Sequence, residues 1–434
     1  MSSEIINLSQ NDIPRNWYNI LPDLPESLPP YRDAENGKEI RDLPDIYTKT
    51  ASNLEFSGKR WVHIPNAIRS AYIHCGRPRP IIRAKRLEKF LKTPARIYFK
   101  CENLSPGGSF KINASLPQAY WAMKEGYKQT VFTGGPTPTG FIHIFSSKFF
   151  GLAPTIFMTR ADCEENKEQV LFIKKMLEAK LLQSPSIQTE IGRKILKENP
   201  NHKGSWVIKK KEVAEEVRKN KDAVMIINSF LNHILMTQTI IGLEVKKQLH
   251  LIDEKPDIFI AAVGGGSNFY GLIAPFIRDY LNKKLHDVKF LAVESETTSK
   301  LTNSSYNYVS MQGIMPGLLV KSYKVKNKTH LPLIIARGIQ TENTAPLLSF
   351  LRHSGFIDTV VYPKDEKAIF EAARIFLNTE GYLLAPESSY SIRAAIDEAY
   401  KAKHSGEKKV IVVSLSATTY LNIEEKSRYL SFMI

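Results

Sequence analysis

Cysteine is scarce. Cys75, Cys101 and Cys163 are the three in 434 residues, an odd number with no CxxC pair. That spacing excludes a disulfide framework or a cysteine-built zinc site and points to a reducing compartment; no metal site is expected. No apolar run approaches the ~18 residues a bilayer span needs. The start, MSSEIINLSQNDIP, has neither a basic n-region nor an apolar h-region, so no signal peptide is expected and a cytoplasmic location is. Aromatics are not interleaved with the lysine clusters, such as KKKE (Lys209 to Glu212) and KVKNK (Lys324 to Lys328). A stacking platform for nucleic acid needs that interleaving. The formal charge of +16 therefore reads as a solvated lysine-rich surface, with no nucleic-acid partner. Internal repeats and low-complexity tracts are also missing.

What is present is an ordinary globular composition, 43% hydrophobic and 24% charged, on a chain long enough for two domains. Residues 1–90 read as an irregular N-terminal extension, with the proline-rich NILPDLPESLPPYRD wrapped over a surface and a short helix in IPNAIRSAYIHCG. From Arg96 strands alternate with helices. RIYFK, TVFT, PTIFMT, KLLQS, DIFIAAVG, VKFLAVES and KKVIVVSLS read as strands. SFKINASLPQAYWAMKEG reads as a helix capped by Ser109 and ended by Gly126, and FLNHILMTQTIIGLEVKKQL as one long helix. Near-continuous apolar strands between helices argue an α/β fold with doubly wound, mostly parallel sheets. The expected division is 91–235 for an N-terminal α/β domain and 236–434 for a C-terminal one.

Four stretches carry chemistry. VGGGSNFYG (Val263 to Gly271) follows a buried strand and opens a helix. Its glycines allow close approach of a ligand, and the helix start offers free N–H groups to an anion. It has neither GxGxxG spacing nor a P-loop lysine. A small phosphate fits, and so does a plain tight turn capped by Ser267. GGSFKINAS (Gly107 to Ser115) puts Lys111 at a helix start, where a cation opposes the dipole by ~0.3–1 kcal/mol. A Schiff-base lysine would have an offset there; a surface lysine is the plainer reading. LAPESS places Glu387 at a strand end or a helix N-terminus. VIVVSLSATT ends a buried strand with Ser416, either a cap or the partner of a ligand atom.

Together, in this order, these pieces resemble the β subunit of tryptophan synthase, in particular its second, often archaeal branch. LPDLPESLPPYRD, TPARIYFKCENLSPGGSFKIN, LNHILMTQTIIGLEVKKQL, TEGYLLAPESSYSIRAAIDEA and VIVVSLS extend the likeness over nearly the whole chain. The resemblance implies the type II fold of pyridoxal 5'-phosphate (PLP) enzymes: two α/β domains with the cofactor in the cleft between them, as a homodimer. It implies Lys111 as the Schiff-base lysine and Asn113 beside it. Gly264, Gly265, Gly266, Ser267 and Asn268 match the phosphate cup, Glu387 an acid near the ring, and Ser416 the serine facing the pyridine nitrogen. A neutral hydroxyl there moderates the electron sink and suits β-elimination and β-replacement. The implied reaction joins indole to L-serine or O-phospho-L-serine to give L-tryptophan.

The departures cluster in FTGGPTPTGFIH. Thr133, Gly134, Gly135, Pro136, Thr137, Pro138 and Thr139 stand where the family has wording close to TETGAGQ. Gly134 takes the place of the catalytic glutamate, and Pro136 and Pro138 take the places of glycines whose N–H groups hold the substrate carboxylate. Phe110 and Tyr390 replace histidines, Ala417 and Thr419 replace glycines. Weak use of L-serine is expected, with phosphoserine, which brings its own leaving group, the better donor. Two other readings stand beside this one: a paralogue with a different β-elimination or β-replacement substrate, and a non-catalytic partner of an active β subunit. An α subunit is a further implied partner.

Overall fold

The computed structural model describes residues 4–135, 138–311, 314–325 and 334–418. A seven-stranded sheet runs in the order Ile5–Ile6, Ile81–Arg83, Arg96–Cys101, Val410–Leu415, Ile258–Ala262, Lys289–Ser295, Asp358–Tyr362. The last five are parallel, and the first two strands add to that edge antiparallel. The apolar runs are continuous because the pleat sends alternate residues to opposite faces. Phe259 and Val412 join one core cluster, Ile260 and Val413 another. A second, all-parallel sheet holds Lys180–Ser184, Ala153–Thr159, Gln129–Thr133 and Ala223–Met225. All three cysteines are free and buried. Among the described residues no helix is long and apolar enough to cross a membrane.

Three expectations change on the structure. Arg96–Cys101, placed within 91–235 from sequence, pairs in register with Val410–Leu415 of the seven-stranded sheet, Ile97 opposite Ile411. The N-terminal extension is also less irregular than its prolines suggest. It supplies two strands to that sheet, and Tyr31–Asp33 and Glu39–Ile40 join Leu318–Tyr323 and Tyr306–Ser310 in an antiparallel sheet. The long helix expected over 230–249 is two helices, Asn232–Gln238 and Ile240–Leu251. Thr239 sits at the break, its hydroxyl donating to Met236 O at 2.6 Å and accepting from Tyr18 N at 3.0 Å. Hydroxyl back-bonding of this kind bends helices.

The helix that carries the lysine, Ile112–Lys124, starts later than Ser109. Ser109 is extended (φ −152°) because its segment pairs with the chain after Leu415. Phe110 N donates to Ser416 O at 3.0 Å, Thr418 N to Gly108 O at 2.9 Å, and Ser109 bridges to Ala417. Pro117 lies inside this helix and cannot supply the N–H that would bond Asn113 O. The Tyr72 hydroxyl takes that carbonyl instead, at 2.6 Å.

Candidate active site

Three adjacent parallel strands of the large sheet end at one place. The lysine loop follows Arg96–Cys101, the glycine loop follows Ile258–Ala262, and Ser416 follows Val410–Leu415 between them. Open α/β sheets bind ligands at such carboxyl ends. Ser414 Oγ reaches Asn268 Oδ1 at 3.0 Å, while Ser416 O takes Phe110 N. The central strand therefore ties the glycine loop to the lysine.

Lys111 occupies the N-cap position of its helix. Its Nζ donates to Thr139 Oγ1 at 2.7 Å. Thr139 is buried at the start of the helix Pro138–Phe149. One turn on, buried His143 shares a hydrogen bond of 2.8 Å between its Nδ1 and Ser115 Oγ, which locks the two helices together. Burial first, and the Lys111 charge second, push the His143 imidazole down to about 3. His143 is therefore neutral at physiological pH and adds no positive charge beside the lysine. It went unnoticed in sequence because one histidine in FIHIF looks like part of an apolar helix; its signal is the i, i+4 spacing from Thr139.

In the glycine loop, Gly266 has φ +95° and caps the helix Ser267–Leu281. A Cβ at Gly265 would lie 2.1 Å from Ser229 Oγ, and one at Gly264 2.7 Å from Gly338 O. Ser229 Oγ and Asn268 Nδ2 are buried with no hydrogen-bond partner among the described residues. Two orphaned polar groups beside a helix N-terminus suit a bound anion, since buried donors are otherwise satisfied.

Ser416 is held from behind. Ser388 Oγ accepts from Ser416 N at 3.1 Å and lies 3.1 Å from its hydroxyl oxygen. Glu387, in the first turn of Pro386–Ser405, accepts from Gly338 N at 2.6 Å. Gly338 O is the atom that crowds Gly264. Glu387 thus braces the glycine loop through the turn Arg337–Ile339. Asn113 is placed differently from a cofactor ligand. Its amide donates to Glu102 and Gln238 and accepts from Arg77 and Arg79, which uses all four of its hydrogen-bonding positions. It belongs to a fully buried charge network with Lys100 and Glu244. Burial would raise the Glu102 carboxyl, but Arg77, Arg79 and Lys100 outweigh it and hold it at about 2.

The substrate loop follows Thr133, the last residue of its strand. Gly134 N donates to Phe157 O at 2.9 Å, and Gly134 O accepts from Lys209 Nζ at 2.6 Å. A Cβ at Gly134 would fall 2.2 Å from Ile156 Cδ1 and 2.8 Å from its Cγ1. A Cβ at Gly135 would meet Asp162 Oδ2 at 3.6 Å. Pro136 and Thr137, and Thr419 beyond Ser416, lie outside the described residues; Pro138 opens the following helix. The KKKE cluster corrects an expectation. Lys209, Lys210 and Glu212 are buried rather than solvated. Their helix, Trp206–Lys219, packs against the small sheet, and Glu212 takes Ser186 N and Thr189 Oγ1, each at 2.6 Å.

The model of a pyridoxal-phosphate dependent enzyme family matches residues 74–417. The tryptophan synthase beta chain of Pyrococcus horikoshii is 41% identical over 427 residues, covering 98% of this chain and 92% of the relative. Tryptophan synthase beta chain 2 of Methanothermobacter thermautotrophicus is 38% identical over 432 residues, covering 99% of both. Among solved structures, maize serine racemase superposes with a TM-score of 0.57 at 18% identity, over 84% of this chain and 98% of that one. L-serine ammonia-lyase of Rhizomucor miehei gives 0.58 at 16%, over 82% and 98%. The two structures speak for the fold alone, the type II fold of PLP enzymes, while the sequence relatives align with this chain over nearly its whole length: this chain belongs to the tryptophan synthase β-chain family of pyridoxal-phosphate dependent enzymes.

Proposed function

We propose that the protein binds PLP and carries out β-replacement or β-elimination on a serine-type donor, the family reaction being tryptophan formation from indole with L-serine or O-phospho-L-serine. The carrying observation is the meeting of Lys111, Ser416 and the orphaned Ser229 and Asn268 side chains at the ends of three adjacent strands. Lys111 would bond the cofactor covalently, and Gly264 to Asn268, with Ser229, would hold its phosphate. Ser416, itself held by Ser388, would face the ring nitrogen as a neutral hydroxyl. When bound, the cofactor supplies an electron sink for an amino-acid donor. Lys111 Nζ is the base for the donor's α-proton, and Thr139 Oγ1 orients that amine. Gly134 offers no group to protonate a departing hydroxyl, which supports a donor whose leaving group departs unaided. Absorbance of the purified protein with PLP, before and after each donor, tests this: no response to either donor would overturn it in favour of a different donor or a non-catalytic role.

Gly265→Ala should weaken PLP binding. Its Cβ would overlap Ser229 Oγ, and relieving such overlaps costs ~1–3 kcal/mol, or about 5- to 150-fold in affinity. Titration of the cofactor band measures it; unaltered affinity would place the phosphate elsewhere.

We further propose a homodimer working in the cytoplasm, with an α subunit or a β paralogue as further partners. Light scattering at micromolar concentration should give twice the 49.2 kDa chain mass. A clean monomer would contradict the dimer.

A further inference from the structure

A cleft of about 960 Å³ opens at the amino ends of the large-sheet strands, opposite the carboxyl ends that carry the candidate active site. Lys255 and Pro256 reach it just before Ile258–Ala262, and Lys284 and Leu285 before Lys289–Ser295. The helix Ser267–Leu281 starts at the glycine loop and brings Phe276 and Arg278 to the cleft. Its length separates the two places by about 20 Å. Small-molecule sites occupy ~300–1,000 Å³, so the size suits a ligand of its own. The cleft is cationic, with six lysine and arginine side chains against three carboxylates. Two of the three carboxylates are already committed: Glu254 to Arg96 at 2.8 Å and to the Tyr98 hydroxyl at 2.9 Å, Asp279 to Lys246 at 2.5 Å. Arg15, Lys255 and Lys284 lie outside the helices, and among the described residues their side chains have no ion pair or hydrogen bond. Exposed lysines are ordinary by themselves. What sets these apart is an indole in the same cleft. Trp61 is 44% exposed. It is held by the Tyr18 ring, 5.3 Å away, and by the Arg278 guanidinium, 5.5 Å from its centroid. Arg278 Nε is buried with no hydrogen-bond acceptor among the described residues. Asp23, 3.5 Å from it, is taken by Arg60 and the Tyr18 hydroxyl.

We infer that this cleft binds a nucleotide, its base stacked on Trp61 and its phosphates held by Arg15, Lys255 and Lys284. The ring follows from Trp61, because bases of every kind stack on an exposed aromatic face. The phosphates follow from the charge: a single carboxylate would leave two of the three unpartnered cations unanswered, and a phosphate chain answers all three. Arg278 Nε is a further donor in want of an acceptor. The inference is independent of the PLP reading, since no residue of the lysine loop, the glycine loop or the 410–416 strand end lines the cleft.

Calorimetric titration tests this on the natural protein loaded with one equivalent of PLP, which keeps the phosphate cup filled. The probes are metal-free ATP, AMP, inorganic triphosphate and a single-stranded oligonucleotide. ATP should bind more tightly than AMP or triphosphate, and its affinity should fall with added salt. Trp61→Ala should weaken ATP by about 5- to 150-fold, the range for one base stacked on an aromatic ring, and leave triphosphate unchanged. Lys255→Glu combined with Lys284→Glu should weaken both by about tenfold or more. Lys194→Glu, on the helix Glu190–Glu198 away from the cleft, should change neither. All three lysines are exposed, so these substitutions leave the core untouched. No binding of ATP at millimolar concentration, triphosphate bound as tightly as ATP, or equal ATP affinity in every variant would overturn the site and leave the PLP reading standing. Tighter binding of the oligonucleotide than of ATP would also overturn it, making the cleft a groove for a nucleic-acid strand.

Discussion

Lys111→Ala is expected to abolish the absorbance band of lysine-bound PLP and any turnover of an amino-acid donor. A low pKa is no guide to the Schiff-base lysine, because burial lowers Lys100, Lys209, Lys210 and Lys300. Position is the guide. Lys100 is committed to Glu244 at 2.6 Å, and Lys209 to Gly134 O. Lys111 alone among these five follows directly on the residue paired to Ser416, at the strand ends that also carry the glycine loop. The variant should still bind the cofactor through Gly264 to Asn268, but more weakly and without the covalent bond. Loss of a positioned base costs ~10²–10⁴ in rate, and loss of the covalent anchor adds to it. Spectra and reduction with borohydride, followed by mass analysis of the labelled peptide, measure the outcome. A label on Lys111 in the natural protein is expected; an undiminished band in Lys111→Ala would remove this lysine from the site.

The second large effect concerns the substrate loop. Tryptophan formation from indole and L-serine should be weak or undetectable, and Gly134→Glu should not restore it. Gly134 cannot move a proton, at a cost of ~10²–10⁴. Pro136 and Pro138 have no N–H for the donor carboxylate, and a hydrogen bond to a charged group is worth ~1.5–3 kcal/mol. The two losses act on one bound donor and need not add. The structure supplies a further obstacle. The glutamate's Cβ would overlap two atoms of fully buried Ile156, so the new carboxylate would be misplaced or the small sheet strained by ~1–3 kcal/mol. Restoring the loop from Gly134 to Thr139 to the family wording, together with Ile156→Ala, should recover far more activity than Gly134→Glu. Chromatography of tryptophan from both variants decides it; recovery in Gly134→Glu alone would show that Ile156 gives way readily.

Much of this site was legible in the sequence because its parts are local. A strand, three glycines and a serine before a helix specify a turn with free N–H groups, and the structure builds that turn at Gly264 to Ser267. The serine that ends the 410–415 strand was equally plain. Contacts over long separations were not. Nothing near Ser109 signals that the chain 307 residues onward, at Ser416, will pair with Phe110, leaving Ser109 extended and the helix to start at Ile112. Nothing near Asn113 shows that four polar side chains from other elements will occupy its amide. Lys209 and Lys210 read as solvated because a lysine run usually is. Their burial comes from a helix that the charged wording of KKKEVAEEVRK disguises, with Val213, Ala214 and Val217 as its inward face.

The most direct single measurement is a titration of the natural holoprotein with L-serine and with O-phospho-L-serine, following the cofactor band and released phosphate. A retained PLP site with Gly134 in place of an acid predicts a band that responds to phosphoserine at lower concentration than to serine, with phosphate released. A robust response and turnover with L-serine, and none with phosphoserine, would contradict it.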